Sequence, residues 1–170
     1  MNANPPAARD GFTRFVIFEL SGVLCAVDAL RVFEITGNQR VKEIPESSSA
    51  PARELGPDYV GYIDLRGEMI PVVDLNEKLN LGAPEKKDSA KIIITDVNGE
   101  KTGFTVNSVR EIMLCDESRM RDIPPLVKNS CNVCLKSILL ANGAIVFVVE
   151  PDMVLQFTPG IHVCVRPADG

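Results

Sequence analysis

The stretch Gly61 to Leu75 reads GYIDLRGEMIPVVDL, and it contains two apolar-rich segments joined by a charged turn that bears a glycine. The connection Leu65-Arg66-Gly67-Glu68 is too short for a crossover, so the two segments are predicted to pair as an antiparallel hairpin. Gly67 supplies a positive φ in the turn at low cost. Because the stretch contains no nucleophile, metal cluster or phosphate loop, we interpret it as a rigid surface that contacts other proteins.

The composition of the chain limits the classes of protein to which it can belong. Its 170 residues predict one compact domain or two very small ones, and an apolar content of 45% is enough to form a core. The net charge of −5 and the lack of a basic run argue against a nucleic-acid partner. The apolar runs are of strand length, far below the roughly 18 residues of a transmembrane helix, and no signal-peptide core is present. We therefore expect a cytoplasmic protein without direct membrane insertion.

Further hairpins flank the quoted stretch on both sides, and Asn98-Gly99 is the strongest turn signal among them. Short strands separated by turns, with no long helix, predict an all-β sandwich or barrel with short helical turns. The predicted hairpins pair Arg14–Leu20 with Val23–Asp28, Lys91–Val97 with Lys101–Val106, and Cys134–Leu140 with Ala144–Val149.

The chain also contains a weak internal repeat, an echo of one segment in another, that suggests two similar halves. A hairpin followed by Val32-Phe33-Glu34-Ile35 resembles a later hairpin followed by Val109-Arg110-Glu111-Ile112, so each half is expected to close its own small barrel. Asp28 and Asp74 are predicted to cap the helical turns that follow them. Residues 1–11 are predicted to be a disordered N-terminal tail, residues 12–157 a single domain of two barrel subdomains, and residues 158–170 a C-terminal tail.

The cysteines offer an alternative function. An odd number, five, at irregular spacing does not predict a disulfide framework. A Cys-x-x-Cys unit together with a later histidine and cysteine has the ligand types of a tetrahedral zinc site, or a redox pair, and would make a metal- or redox-sensing module. The interpretation we favour is reduced thiols, with Cys25 and Cys115 in the core. The residues of the alternative site are Cys131, Cys134, His162 and Cys164.

Five segments, taken in order, resemble the CheW family of chemotaxis coupling proteins. They are FVIFEL from Phe15, AVDALRVFEI from Ala26, GYIDLRGEMIPVVDL from Gly61, TGFTVNSVREIM from Thr102 and IVFVVEPDMVL from Ile145. The resemblance implies two five-stranded β-barrels packed over a shared apolar core, without enzymatic activity or a cofactor. It also implies a scaffold that links the helical cytoplasmic tips of chemoreceptors to the regulatory domain of a CheA-type histidine kinase, at membrane-bound receptor arrays.

The resemblance further implies which residues bind the receptor. From the residues alone, Arg66 is a solvated turn arginine and the apolar candidates are core residues; the resemblance reverses that interpretation for Arg66. Glu34 is expected to pair with Arg66 and to aim its side chain, since an exposed pair adds only about 0–1 kcal/mol. The implied receptor-binding residues are Val32, Glu34, Gly61, Arg66, Gly67, Ile92 and Val109.

Four features depart from the family pattern. Asp64 stands where asparagine is usual, Asn107 where aspartate is usual and Ser137 where glycine is usual, and the loop Pro45–Gly56 is long. We hypothesise that Asp64 and this loop alter the choice of partner rather than stability. Asp64 would either hold Arg66 inward or repel an acidic receptor tip.

Overall fold

The computed structural model describes residues 11–37, 39–43, 59–82, 90–128 and 134–155. Within these ranges the strands are β1 (Phe12–Leu20), β2 (Val23–Asp28), β3 (Val32–Gly37), β4 (Tyr59–Leu65), β5 (Glu68–Asp74), β6 (Lys91–Val97), β7 (Glu100–Val106), β8 (Ser108–Asp116), β9 (Met120–Arg121), β10 (Leu135–Ala141) and β11 (Ala144–Val149). The helices are α1 (Leu75–Lys78), α2 (Pro125–Lys128) and α3 (Pro151–Val154), with 3-10 turns at Ala29–Arg31 and Glu117–Arg119.

The strands form two sheets, which confirms the predicted all-β class with two subdomains. The six-stranded sheet has the order β8-β1-β2-β11-β10-β9, and the five-stranded sheet has the order β3-β6-β7-β5-β4. The sixth strand, β9, is an addition to the predicted five; its two residues are too few to show a strand pattern in the sequence. An isolated bridge joins Lys42, which follows the edge strand β3, to Tyr62 in the opposite edge strand β4.

The prediction that each half closes its own small barrel is wrong, because the two halves exchange hairpins. The first half of the echo is β1 to β5, and the second half is β6, β7, β8, β10 and β11. The hairpin β1–β2 pairs with β8 and β11 of the second half, whereas the hairpin β6–β7 pairs with β3 and β5 of the first half. Each sheet therefore combines the opening hairpin of one half with the last three strands of the other.

The apolar side chains sort into one cluster between the sheets and one cluster inside each sheet. Phe18 of the six-stranded sheet and Phe104 of the five-stranded sheet both belong to the cluster between the sheets. Because side chains alternate along a strand, Ile93 of β6 joins that shared core while its neighbours face the other way. The inner cluster of the five-stranded sheet consists of Ile63, Ile70, Val72, Ile92 and Ile94.

Local capping matches the sequence prediction. The Asp28 carboxylate accepts a hydrogen bond from the Leu30 amide at 2.9 Å. The Asp74 carboxylate accepts from the Asn76 amide at 2.9 Å and from the Glu77 amide at 3.3 Å. These contacts satisfy amides at the starts of short helical segments, which have few internal hydrogen bonds of their own.

Two of the residues that depart from the family pattern lie in buried or half-buried surroundings. Asn107 Oδ1 accepts from Asn76 Nδ2 at 3.0 Å and from the Ser21 amide at 3.1 Å, which ties the β1–β2 turn to α1. Asn107 acts as an acceptor in both contacts, so an aspartate would fill the same role. The Ser137 hydroxyl is buried in β10 without a hydrogen-bond partner in the described residues, and a glycine there would lack that unpaired group.

Arg31 joins the two sheets, although sequence analysis did not single it out. Its Nη1 donates to Glu150 Oε1 at 3.2 Å, and its Nη2 donates to Asp152 Oδ1 at 2.5 Å and to the Asp96 carbonyl at 2.8 Å. Asp152 Oδ1 also accepts from the Asn98 amide at 2.8 Å. The pKa of the Asp152 carboxyl is lowered mainly by the hydrogen bond from Arg31 and secondly by the hydrogen bond from the Asn98 amide. The segment that follows β11 is thereby held against the β6–β7 turn.

Candidate functional site

The turn between β4 and β5 places an arginine in a backbone conformation that is unfavourable for this residue type. Arg66 has φ +53° and Gly67 has φ +86°, and a type I′ hairpin turn requires positive φ at both central residues. The left-handed region costs a residue with a Cβ roughly 1–2 kcal/mol, and asparagine tolerates it best. The other turns of this kind in the described residues carry Ser21-Gly22, Asn98-Gly99 and Asn142-Gly143.

Glu34 in β3 holds the Arg66 side chain, as expected from the sequence. Arg66 Nη2 lies 2.8 Å from Glu34 Oε1 and 2.9 Å from Oε2. The Arg66 side chain is 74% exposed and that of Glu34 is 31% exposed, so the pair contributes only about 0–1 kcal/mol to stability. Glu34 stands opposite Ile94 in the sheet register, and both residues line one cleft beside the β4–β5 turn. The pair therefore orients the arginine more than it stabilises the fold.

Asp64 caps the turn and does not hold Arg66. Its Oδ1 accepts a hydrogen bond from the Gly67 amide at 2.8 Å, and Asp96 makes the same contact with Gly99 at 2.7 Å in the β6–β7 hairpin. Such side-chain contacts to a backbone amide stabilise tight turns. The expectation that Asp64 draws Arg66 inward is wrong, because Glu34 takes that role. Repulsion of an acidic partner by Asp64 stays a prediction.

A shallow cleft opens beside the Glu34–Arg66 pair. Its volume is about 270 Å³. Lys101 Nζ lies 2.7 Å from Glu68 Oε2 and 5.6 Å from the centre of the Phe33 ring, and Phe33 is 58% exposed. Sequence analysis missed Phe33, Glu68 and Lys101. Glu68 stands at the hairpin turn itself, but its partner Lys101 is brought to it by the pairing of β7 with β5, and Phe33 is brought there by the pairing of β3 with β6. The cleft is lined by Phe33, Glu34, Leu65, Arg66, Glu68, Ile94 and Lys101.

Gly67 stands between the cleft residues Arg66 and Glu68, whereas the other four predicted receptor-binding residues do not line the cleft. Gly61 is buried in β4, where an added Cβ would stand 2.3 Å from the Lys42 carbonyl oxygen, so its place is set by backbone packing. Ile92 is 3% exposed and packs in the inner cluster of the five-stranded sheet rather than lining an open groove. Val32 and Val109 are half-buried against the core between the sheets. Receptor contact by Val32 and Val109 stays a prediction.

The described cysteines have the properties of core residues. Burial raises the pKa of the Cys25 thiol to about 12 and that of Cys134 to about 11, and it also raises the pKa of Cys115. Since the thiolate is the form that reacts and binds metals, the raised pKa values disfavour both reaction and metal binding at these thiols. The other candidates, Cys131, His162 and Cys164, lie outside the described residues.

The described part of the chain lacks two structural features. No group of three or more histidine, cysteine or acidic side chains in that part is arranged to hold a metal ion. None of its helices combines the length and the apolar character needed to cross a membrane.

Comparison with known proteins agrees with this architecture. The family model described as "CheW-like domain" matches residues 14–158. The chemotaxis protein CheW of Bacillus subtilis is 25% identical over 143 residues, covering 84% of this chain and 86% of that protein. The chemotaxis protein CheW of Rhizobium meliloti is 28% identical over 115 residues, covering 67% of this chain and 74% of that protein.

A solved structure extends the likeness to three dimensions. The crystal structure of the scaffolding protein TtCheW from Thermoanaerobacter tengcongensis matches with a TM-score of 0.73 at 26% identity, covering 85% of this chain and 93% of that one. The family match spans most of the sequence, including the hairpin that carries Arg66. This chain therefore belongs to the CheW-like domain family.

Proposed function

We propose that this chain is a non-enzymatic scaffold that couples the helical cytoplasmic tips of chemoreceptors to a CheA-type histidine kinase at receptor arrays. Its membership of the CheW-like domain family supports a role in chemotaxis signalling. The matched structure is itself titled a scaffolding protein. We assign Arg66 and Glu34 to the receptor-binding site. They form an ion pair beside one cleft.

The observation that carries the proposal is the conformation of Arg66. Two of the three comparable turns in the described residues hold asparagine at this position, which tolerates a left-handed backbone, and the third holds serine, whereas this turn holds an arginine at φ +53°. The guanidinium is largely exposed and contributes little to stability through Glu34. A residue that strains its own turn and stabilises little else is better explained by contact with a partner, because strained residues concentrate at functional sites.

Arg66→Asn is expected to separate binding from stability. Asparagine fits the type I′ turn, and its gain of about 1 kcal/mol offsets the lost exposed ion pair, so the free energy of unfolding should stay level or rise slightly. Affinity for a purified chemoreceptor tip should fall about tenfold or more, since a charged contact at an interface is lost. Denaturant unfolding and calorimetric titration of the two proteins measure the two effects.

The matched control for this variant is Arg40→Asn. Arg40 is exposed beyond β3 and lies outside the cleft, so the variant removes the same charge from another part of the surface. It should bind the receptor tip within about twofold of the wild-type chain, because exposed charges away from an interface have little effect. Tip binding that survives in Arg66→Asn would show that Arg66 is not a receptor contact. An Arg66→Asn chain that unfolds much more easily would show that Arg66 is a structural residue.

The kinase is expected to bind through its regulatory domain, which the family resemblance places in the same fold class. Contact of one barrel with another should have an apolar centre and a polar rim. Titration of the cognate regulatory domain should give a Kd of about 10 µM or tighter, and Arg66→Asn should leave it unchanged within about twofold. No heat of binding at tens of micromolar of both proteins would count against the kinase half of the proposal.

A further inference from the structure

The cleft beside Arg66 contains two ion pairs. The more exposed partner is the cation in one pair and the acid in the other. In the Arg66–Glu34 pair the cation is the outer partner, at 74% exposure against 31%. In the Lys101–Glu68 pair the acid is the outer partner, at 52% exposure against 38%. The surface therefore presents a positive charge at residue 66 and a negative charge at residue 68, on the two sides of Gly67.

This arrangement of charges suits recognition better than stability or general attraction. Both pairs are partly exposed, so each adds little to the stability of the fold. The four charges of the two pairs cancel, so the cleft as a whole attracts neither acidic nor basic partners. The order of the two outward-facing charges remains, positive at residue 66 and negative at residue 68. Fixed charges at an interface set the register of a partner and exclude wrong partners.

An apolar contact lies between these charges. Phe33 is 58% exposed, and Lys101 Nζ stands 5.6 Å from its ring centre, so one face of the ring is occupied by the cation. The buried side chain of Ile94 lies in the same cleft. A volume of about 270 Å³ accommodates side chains of a docked segment but not a folded element.

We infer that this cleft selects a helix that carries a carboxylate and a cation one turn apart, the carboxylate against Arg66 and the cation against Glu68, with an apolar side chain against Phe33. Side chains three or four positions apart lie on one face of a helix, so a single helix presents both charges together. The inference rests on the proposed function, in which a receptor tip supplies the helix. It adds Glu68, Lys101 and Phe33 to the site as residues that determine specificity.

The test exchanges the charges of one pair, using the double variant Glu68→Lys with Lys101→Glu. The swap keeps net charge and keeps an ion pair, but it reverses the polarity that the partner meets at residue 68. Calorimetric titration with the purified cytoplasmic tip of a chemoreceptor from the same cell should show binding about fivefold weaker than wild type. The single variant Glu68→Lys should weaken binding to a similar degree, and thermal unfolding confirms that both variants are folded.

The matched control is Glu100→Lys. Glu100 is exposed in the neighbouring hairpin but does not line the cleft, so this variant makes the same charge change beside the site. It should bind the tip within about twofold of wild type, since charges outside the contact act weakly at physiological salt.

The possible outcomes separate this inference from the proposed function. A wild-type chain that fails to bind the tip overturns the proposed function, and this inference with it. If the wild-type chain binds the tip and the charge swap leaves the affinity unchanged, residue 68 is not read by the partner, and the inference alone is overturned. If Glu68→Lys binds the tip more tightly, the partner surface is purely acidic, and the inference alone is again overturned. Self-association of the wild-type chain in sedimentation, abolished by the swap, would identify a second copy of the chain as the occupant and would also overturn it.

Discussion

Gly61→Ala is expected to lower the free energy of unfolding by about 2–4 kcal/mol, the largest effect of any substitution considered. The added Cβ would lie 2.3 Å from the Lys42 carbonyl oxygen and 2.8 Å from Val41 Cγ1. The oxygen belongs to the backbone, which forms a bridge with Tyr62 through hydrogen bonds of 2.8 and 2.9 Å. Relief of the clash therefore breaks that bridge. Denaturant unfolding of the wild type and the variant, with the same dependence of free energy on denaturant concentration, measures the difference in the free energy of unfolding.

Gly99→Ala is the control, because it separates backbone strain from steric overlap. Gly99 has φ +88°, and a Cβ built there meets nothing within 4 Å. Its cost should be limited to that of a left-handed alanine, roughly 1–2 kcal/mol. If Gly61→Ala loses no more stability than Gly99→Ala, the chain around Lys42 moves away freely, and the assignment of Gly61 to backbone packing fails.

Arg31→Ala is expected to cost about 1–3 kcal/mol at neutral pH. The variant loses charged hydrogen bonds to Glu150 and Asp152 and one to the Asp96 carbonyl. Glu150 keeps Lys136 Nζ at 3.6 Å, so Asp152 is the carboxylate that loses its cation. The value is discounted because the arginine side chain is 28% exposed and that of Asp152 is 35% exposed. Unfolding by denaturant at pH 7 measures the loss.

The pH dependence of this loss has a definite sign. Arg31 lowers the pKa of Asp152 in the folded protein, so the stabilisation is fully present above the unfolded value of about 3.9. It disappears as the pH falls through the lowered folded pKa. The difference between wild type and Arg31→Ala should therefore be constant near neutrality and narrow below about pH 4. A gap that widens in acid, or an Arg31→Ala chain as stable as wild type at pH 7, would contradict the role assigned to Arg31.

Most strands of the fold could be predicted from the sequence because their signals are local. Asn98-Gly99 fixed the β6–β7 hairpin, and Val23–Asp28, Lys91–Val97 and Ala144–Val149 have the predicted bounds. The cap at Asp74 also follows from its immediate neighbours. The strand β9 was missed because two residues carry no periodicity.

The parts of the site that could not be predicted depend on contacts between distant segments. Glu34 and Arg66 were paired in advance only with the help of the family resemblance, since 32 residues separate them. Arg31 meets Asp152 across 121 residues, and Lys101 meets Glu68 across 33, and neither pair leaves a trace in local sequence. Ile92 was placed in a groove because strand ends and core positions have the same apolar character, and only the sheet register shows which way it faces.

The exchange of hairpins between the two halves has a consequence for how the chain folds. Neither sheet can form from one half alone, because β1 pairs with β8 of the other half. Within that pair Arg110 contacts Glu19, which lies 91 residues away in the sequence. Loops of that length must close before their contacts contribute, and proteins rich in such contacts fold slowly. A cut between β5 and β6 would leave two fragments, and each would lack the central hairpin of the sheet that its other strands form. We therefore expect the two sheets to fold and unfold as one cooperative unit.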